Sequence, residues 1–533
     1  MGKSQCLKLQ KSAIMIEIMD TTLRDGEQTT SVSFNDAEKL ALAQMLLNEI
    51  RVNRIEIASA RVSEGEFKAV KRITDWARQN NCIEKIEILC FVDGTLSLDW
   101  VEKAGGKVIN LLSKGSLRHL EGQLKKTPEQ HFNDILFIVD EAERRGISVN
   151  LYMEDWSNGM IHSPDYVFYM VDRLRTSAIK RFMLPDTLGI LNPDQTYEFC
   201  KTMTSKYPHL HFDFHAHNDY DLATANVFNA LKAGVRGVHT TVNGLGERAG
   251  NVPLSSVLGV LNDHLKLENT LIESKLSRTS KMVELFSGLR IPANKPLTGE
   301  YVFTQVCGVH ADGDNKANLY FNPLLPERFG RTRQYALGKT SGKANITKNL
   351  EELGIELSQE DLLKVTQRVI ELGDLKETVT IDDLPYIISD VLKNGDHNQT
   401  IKLINYQLSV ARGMKPVASL SICIDDEIHN ETSVGDGQYD AFMKALWSIY
   451  KKLGKEHPML TDYLVTIPPG GKTDALVETT ITWEFRGKEF RTRGLDADQT
   501  AAAIKATMKM LNTIADNEKR LVGSDNFLMK NEK

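Results

Sequence analysis

LHFDFHAHND, residues 210–219, alternates with a period of two. Leu210, Phe212, Phe214 and Ala216 fall on one side; His211, Asp213, His215 and His217 fall on the other. Successive side chains of a strand point to opposite faces, so this is a strand with one apolar and one polar face. The apolar face can pack on a layer of helices. The polar face needs water, a charge partner or a metal. His215 and His217 share that face at i and i+2, where one cation can take both neutral imidazoles.

The pattern on either side of this segment repeats. From about residue 15 to 265 short β-rich runs alternate with amphipathic stretches. The strand candidates are 16–23 (IEIMDTTL), 54–58 (RIEIA), 85–92 (KIEILCFV), 108–112 (VINLL), 148–154 (SVNLYME), 181–187 (RFMLPDT), 210–217 and 237–244 (GVHTTVNG). Between them, 36–50 carries Leu40, Ala43, Leu47 and Ile50 on one helical stripe, and 128–146 opens with Pro128 and closes with Gly146, the expected start and stop signals. Eight strand–helix units is the count of a closed (β/α)8 barrel. An open doubly wound sheet is the alternative, but it usually has fewer strands and a G-x-G-x-x-G turn after the first. That fingerprint is absent here, as is G-x-x-x-x-G-K-[ST].

After about residue 270 the chain changes character. Residues 271–400 read as helix-rich linker subdomains, an arm rather than a ninth barrel unit. From 401 to 520 β-rich runs recur (VASLSICI, YLVTIP, LVETTITWEF), with amphipathic helices at 439–453 and 497–511, each after a glycine turn. This is a faint duplication of a strands-then-helix unit. The expected fold class is therefore α/β, a (β/α)8 TIM barrel over 1–270, followed by the helical arm and a C-terminal α+β domain.

With 533 residues, 41% hydrophobic and 26% charged, the composition is that of a soluble globular protein. A net charge of −6 is small for this length and gives no reason to expect nucleic acid or an anionic membrane as partner. Cys6, Cys82, Cys90, Cys200, Cys307 and Cys423 form no C-x-x-C pair and read as reduced residues of a cytoplasmic protein. No stretch approaches the roughly 20 apolar residues of a membrane helix. The start, MGKSQCLKLQKSAIM, lacks the long apolar region of a secretory signal.

In a barrel the active site lies at the carboxyl ends of the strands. Those ends supply Arg24 and Asp25 in TLRDGEQ, Glu154 and Asp155 in MED, Asp186 and Thr187 in PDT, His215 and His217, and then Asn243 followed by GLGERAGN, 244–251. Polar residues thus gather where the fold requires them. Asp25, His215 and His217, with Asn251 as a further donor, are the candidate metal ligands. Two imidazoles and a carboxylate leave coordination positions open for substrate, as a Lewis-acid site needs. The alternative is a hydrogen-bonded polar lumen without metal. Glu247 and Arg248 could brace the site. His209, His211 and His239 have no evident complement and read as structural.

TLRDGEQ, H-x-H-N-D and GLGERAGN together resemble the metal-dependent barrel enzymes that condense acetyl-CoA with 2-oxo acids, the isopropylmalate, homocitrate and citramalate synthases. The resemblance runs from about residue 15 to the C-terminus. It is narrowest to the citramalate branch, through MEDWSNG, HNDYDLATAN, VINLLSKGS and LPERFGR. It implies that Asp25, His215, His217 and Asn251 hold a divalent cation, with Mg, Mn, Zn and Co all suited to such ligands. It implies further that Arg24 neutralises charge on the keto oxygen and that Thr187 holds the substrate carboxylate. A histidine of the helical arm, His310 in GVHADGD, would remove a proton from the acetyl methyl group, reaching in from a neighbouring chain, with Glu154 and Tyr320 as helpers. That arrangement implies a homodimer with shared active sites. The C-terminal domain would be regulatory and bind an amino-acid end product.

By the same resemblance Leu89, Leu112 and Tyr152 line the pocket around the substrate's tail. Isopropylmalate relatives tend to carry polar or small residues at the positions of Leu112 and Tyr152, and both are bulky here. A filled pocket suits pyruvate and rejects an isopropyl tail; the competing expectation is that the three are plain core residues. Pyruvate is thus the expected oxo acid and isoleucine the expected effector, with 3-methyl-2-oxobutanoate and leucine as the alternative pair. Tyr220-Asp221 follows H-x-H-N-D where many family members have Leu-Gly, which again favours the citramalate branch. A lyase of the hydroxymethylglutaryl type would carry a cysteine in the glycine-rich loop, and GLGERAGN has none. A silent amino-acid sensor would have lost the barrel residues, and each is present.

Overall fold

The structure, a computed structural model, describes residues 15–374, 379–392, 401–466 and 477–528, with side chains of the last helix described to residue 515. The readings made of 1–14, of 375–378 and 393–400 in the arm, and of 467–476 between two C-terminal strands lie outside the described residues. The chain forms two compact units, Met1–Gln305 with Ala317–Gln334, and Val306–Lys316 with Tyr335–Lys533.

The first unit is the closed barrel. Its strands are β1 (Glu17–Asp20), β2 (Arg54–Ser59), β3 (Ile86–Phe91), β4 (Val108–Lys114), β5 (Ser148–Glu154), β6 (Ile179–Asp186), β7 (Phe212–Ala216) and β8 (Gly237–Thr240). Each pairs in parallel with the next, and β8 closes on β1 with Glu17 opposite Gly237 and Asp20 opposite Thr240. Outward-facing Ile55, Ile57, Ile86, Ile88, Ile109, Leu111 and Val149 are buried beneath the helices, each contributing about 1.5–3 kcal/mol of burial.

The helices start where the sequence supplies caps. Asn35 accepts from the N–H groups of Ala37 and Glu38 while Glu38 accepts from Asn35 N–H, and Thr127 with Gln130 does the same ahead of Pro128. Such reciprocal caps satisfy amides a helix start leaves unpaired. The helix expected over 36–50 is regular only over Asp36–Gln44; Met45–Ile50 widens into π-helical turns and stops at Arg51 in a left-handed conformation.

In the second unit, helices Lys343–Leu353, Gln359–Asp374 and Leu384–Leu392 pack around Ile346, Leu350, Val365, Val369 and Leu384. The C-terminal domain then repeats one plan twice. Strands Ile401–Ser409, Val417–Ile424 and Glu427–Val434 form an antiparallel sheet followed by helix Gln438–Lys452; strands Met459–Thr466, Val477–Phe485 and Lys488–Asp496 form another followed by helix Gln499–Leu528. Ile422, Phe442, Leu446, Ile481, Trp483 and Met510 belong to one core that joins the halves.

Candidate metal centre and active site

β1 ends in a tight turn. The Thr21 carbonyl accepts the N–H groups of Arg24, Asp25 and Gly26 at 3.1, 2.8 and 3.0 Å, which ends the strand earlier than its apolar run suggests and turns the next side chains over the barrel mouth. The neighbouring wall is stitched together in the same way. Asn218 N–H donates to Gly250 O at 2.9 Å and Val252 N–H to Ala216 O at 3.1 Å, and His217 and Asn251 sit opposite each other in a β-bridge. The loop after β8 is thereby held against the end of β7.

The result is a buried cluster. Asp25 Oδ2 lies 3.2 Å from His215 Nε2 and 3.8 Å from His217 Nε2. The three residues offer ligand atoms within 4.8 Å of one another. Asn251 Nδ2 donates to Leu245 O at 3.1 Å, which fixes the amide and turns its Oδ1 away from that bond. Asp25 Oδ1, His215 Nδ1, His217 Nδ1 and Asn251 Oδ1 are all buried without a hydrogen-bond partner. Orphaned Asp25 Oδ1 and Asn251 Oδ1, together with the His215 and His217 Nε2 atoms that converge on Asp25, are an expensive arrangement for a plain polar lumen and suit a divalent cation.

The electrostatics agree. Burial alone would raise the Asp25 carboxyl, but Arg24, 3.4 Å away, and the two imidazoles outweigh it and hold Asp25 well below the usual carboxylate range. Burial lowers both histidines, His217 to about 4. An ionised carboxylate and two neutral imidazoles are the protonation states that bind metal.

Arg24 is aimed by groups the sequence reading passed over. Its Nε donates to Glu56 Oε2 at 2.6 Å, and Glu56 also accepts from Thr21 Oγ1 at 2.7 Å and from Asn110 Nδ2 at 2.8 Å. Tyr152 stands edge-on to His215, and Leu89, Tyr152, Met19 and Met183 form a buried cluster of their own with Leu112 packed against it. The Leu89, Leu112 and Tyr152 side chains therefore do come together, beside the metal cluster.

The remaining candidates are placed differently. Thr187 Oγ1 accepts from Asp155 N–H at 2.9 Å and keeps its hydroxyl hydrogen for another partner. Arg248 bridges the Asp219 carboxylate at 2.8 and 3.0 Å and donates to Thr187 O at 2.7 Å, so it braces the β6 loop against the β7 loop. Asp186 caps the turn at Ile190 and Leu191, and Asn243 is tied to Ser280. Glu154 pairs with buried Lys114 at the neighbouring strand end. Tyr320 is exposed in the Ala317–Gln334 segment, and His310 lies half-buried on helix Gly308–Ala317 of the second unit. Resemblance is what links His310 and Tyr320 to the site.

One expectation about the histidines needs correcting. His211 and His239 do have a complement: Asp213 Oδ1 lies 2.9 Å from His211 Nε2 and Oδ2 lies 3.1 Å from His239 Nε2. The signal was present in the alternation of β2 to β5. Arg54 and Glu56 alternate with Ile55 and Ile57, Glu87 sits between Ile86 and Ile88, Asn110 between Ile109 and Leu111, and Asn150 between Val149 and Leu151. Read with a period of two, these are lumen residues, and all of them are buried.

Comparison with known proteins places this geometry in context. A profile described as HMGL-like matches residues 15–283, one described as homocitrate synthase post-HMGL domain-like matches 297–377, and one described as LeuA allosteric (dimerisation) domain matches 378–515. A protein of Methanopyrus kandleri that carries the name (R)-citramalate synthase in provisional form is 33% identical over 87% of this chain and 89% of its own. In Methanocaldococcus jannaschii, an (R)-citramalate synthase is 32% identical over 94% of this chain and 100% of its own, and a 2-isopropylmalate synthase is 31% identical over 94% of each.

Proposed function

The chain belongs to the HMGL-like family, in the group that carries a LeuA-type C-terminal domain, and on that premise we propose that it condenses acetyl-CoA with pyruvate to give (R)-citramalate and CoA, the opening step of a pyruvate route to isoleucine. Identity alone does not divide the citramalate from the isopropylmalate relatives. The observation that carries the choice is the packed wall of Leu89, Leu112, Tyr152, Met19 and Met183 beside the cluster of Asp25, His215 and His217. A methyl tail fits against such a wall, whereas an isopropyl tail must displace it.

Asp25, His215, His217 and Asn251 would hold a divalent cation, Mg, Mn or Zn, which when bound supplies a Lewis acid for the 2-oxo acid's ketone. Arg24, fixed by Glu56, stabilises negative charge on the keto oxygen more as it develops than in the bound ketone. Thr187 donates its free hydroxyl hydrogen to the substrate carboxylate. His310 of a neighbouring copy takes the proton from the acetyl methyl carbon, with Tyr320 and Glu154 assisting; the match of GVHADGD to the family supports this role. The methyl carbon forms the new bond to the keto carbon, and water then cleaves the thioester to release CoA.

The LeuA-type domain supports a homodimer and an amino-acid effector; isoleucine is the one proposed, and inhibition by leucine alone would contradict it. Among the described residues no helix is long and apolar enough to cross a membrane, and we place the reaction in the cytoplasm. The deciding experiment follows CoA release from acetyl-CoA with pyruvate or with 3-methyl-2-oxobutanoate. Preference for pyruvate is expected. Preference for the branched acid would reassign the chain to isopropylmalate synthesis.

A further inference from the structure

Behind the reacting groups runs a hydrogen-bond chain that the proposed reaction leaves unused. Arg24 Nη2 lies 3.3 Å from the Tyr152 hydroxyl, which lies 2.9 Å from His239 Nδ1. His239 Nε2 lies 3.1 Å from Asp213 Oδ2, and the same carboxylate oxygen accepts from Arg54 Nη2 at 2.6 Å. Tyr152, Asp213 and His239 are all buried. Gly237 makes room for the carboxylate, since a Cβ there would stand 1.9 Å from Asp213 Oδ1.

Every link in this chain has one direction. Asp213 Oδ2 takes the Arg54 guanidinium at 2.6 Å and Oδ1 faces His211 Nε2 at 2.9 Å, so the carboxylate is surrounded by donors. An ionised carboxylate only accepts, so His239 Nε2 donates. With its hydrogen on Nε2, the His239 ring has a lone pair on Nδ1, 2.9 Å from the Tyr152 hydroxyl, to accept the Tyr152 hydrogen. The phenolic oxygen then accepts from Arg24, whose guanidinium can only donate. The Tyr152 hydroxyl has thus spent its single hydrogen inward. Its ring is held at one end by this bond and on its flank by Leu89, Met183 and Leu112.

We propose that His239 and Asp213 are positioning residues that lock Tyr152 against the substrate pocket, and that this lock sets the preference for a short 2-oxo acid tail and steadies Arg24 towards the ketone. The proposal rests on the citramalate reading. A tyrosine without its anchor has other rotamers open to it, and a ring that swings aside vacates the space a branched tail would need.

The test compares kcat/KM for pyruvate and for 3-methyl-2-oxobutanoate in the full-length metal-loaded enzyme. His239→Leu removes the acceptor, and Tyr152→Phe removes the hydroxyl but keeps the ring. Each should lower the preference for pyruvate by about tenfold. The double variant should lose no more than either single, because both cut the same link. His239→Gln, whose amide oxygen can accept, should recover part of the loss. An unchanged preference in a folded His239→Leu protein, or losses that add in the double variant, would overturn the proposal. Nitrogen-15 NMR of the histidine-labelled parent gives a readout independent of turnover: His239, identified by the resonance missing from His239→Gln, should be the neutral Nε2–H tautomer at neutral pH. An Nδ1–H tautomer or an imidazolium would refute the lock. If the parent instead prefers the branched acid, the citramalate reading fails, while the tautomer and the double-variant coupling still decide whether the lock exists.

Discussion

Gly246→Ala should disarm the metal centre without unfolding the barrel. Gly246 has φ +151°, in the range that favours glycine, and a Cβ built there would stand 2.2 Å from Asn251 Nδ2 and 3.2 Å from Asn251 Cγ and Gly250 Cα. The closest atom ends a flexible side chain, so the clash is relieved by moving Asn251 rather than the loop. That movement breaks the bond from Asn251 Nδ2 to Leu245 O and removes Oδ1 from its position beside His217. Losing the support of a metal ligand costs about 10–100-fold in affinity, or about 1.4–2.7 kcal/mol. Backbone strain at such a position adds about 1–3 kcal/mol against folding, a fall of about 1.5–4.5 °C in the melting point of a unit this size. Calorimetric titration with Mn2+ measures the first effect and differential scanning calorimetry the second. Asn251→Ala should show the same loss of affinity, and Gly246→Ala on top of it no further loss. A folded Gly246→Ala protein that binds Mn2+ as tightly as its parent would refute the assignment of Asn251 as a ligand.

Two other perturbations probe separate parts of the chain. Leu112→Ala opens the wall beside Tyr152 and should raise relative kcat/KM for 3-methyl-2-oxobutanoate by about tenfold; CoA-release assays with both acids check it, and an unchanged ratio would return Leu112 to the plain core. His131 is buried, accepts Lys114 N–H at 3.1 Å, and burial lowers it to about 4. Below its ordinary value near 6.5 the unfolded chain binds a proton that the folded one refuses, so stability falls as pH drops from about 6.5 to about 4, by about 3 kcal/mol from this group. Urea midpoints of the parent should decline across that window more steeply than those of His131→Gln, and parallel curves would show that His131 is not the titrating group.

Much of this molecule is legible in its sequence, and the unread parts share a cause. The eight barrel strands declare themselves as short runs holding β-branched or aromatic residues, and the helices between them by caps such as Asn35 and Thr127. Strand ends are less visible. The run 16–23 yields only Glu17–Asp20 as strand, because the Thr21 carbonyl collects three amides that a continued strand would have sent elsewhere. The metal cluster is readable because His215 and His217 stand two apart on one face. The lumen network is not read from single segments: Asp213 meets Arg54 across 159 residues, and Arg24 meets Tyr152 across 128. Such pairs become visible only once closure of the barrel sets opposite walls face to face.

That closure has one more consequence. Asp25, His215 and Asn251 come from β1, β7 and the loop after β8, which are neighbours round the ring, while Leu89, Leu112 and Tyr152 come from β3, β4 and β5 across from them. The residues proposed for bond-making and for substrate choice therefore stand on facing sides of the barrel, and the contact from Arg24 to Tyr152 joins them. A lineage could remodel the proposed choosing side for a new acid and inherit the proposed reacting side intact, provided that crossbeam survived the change.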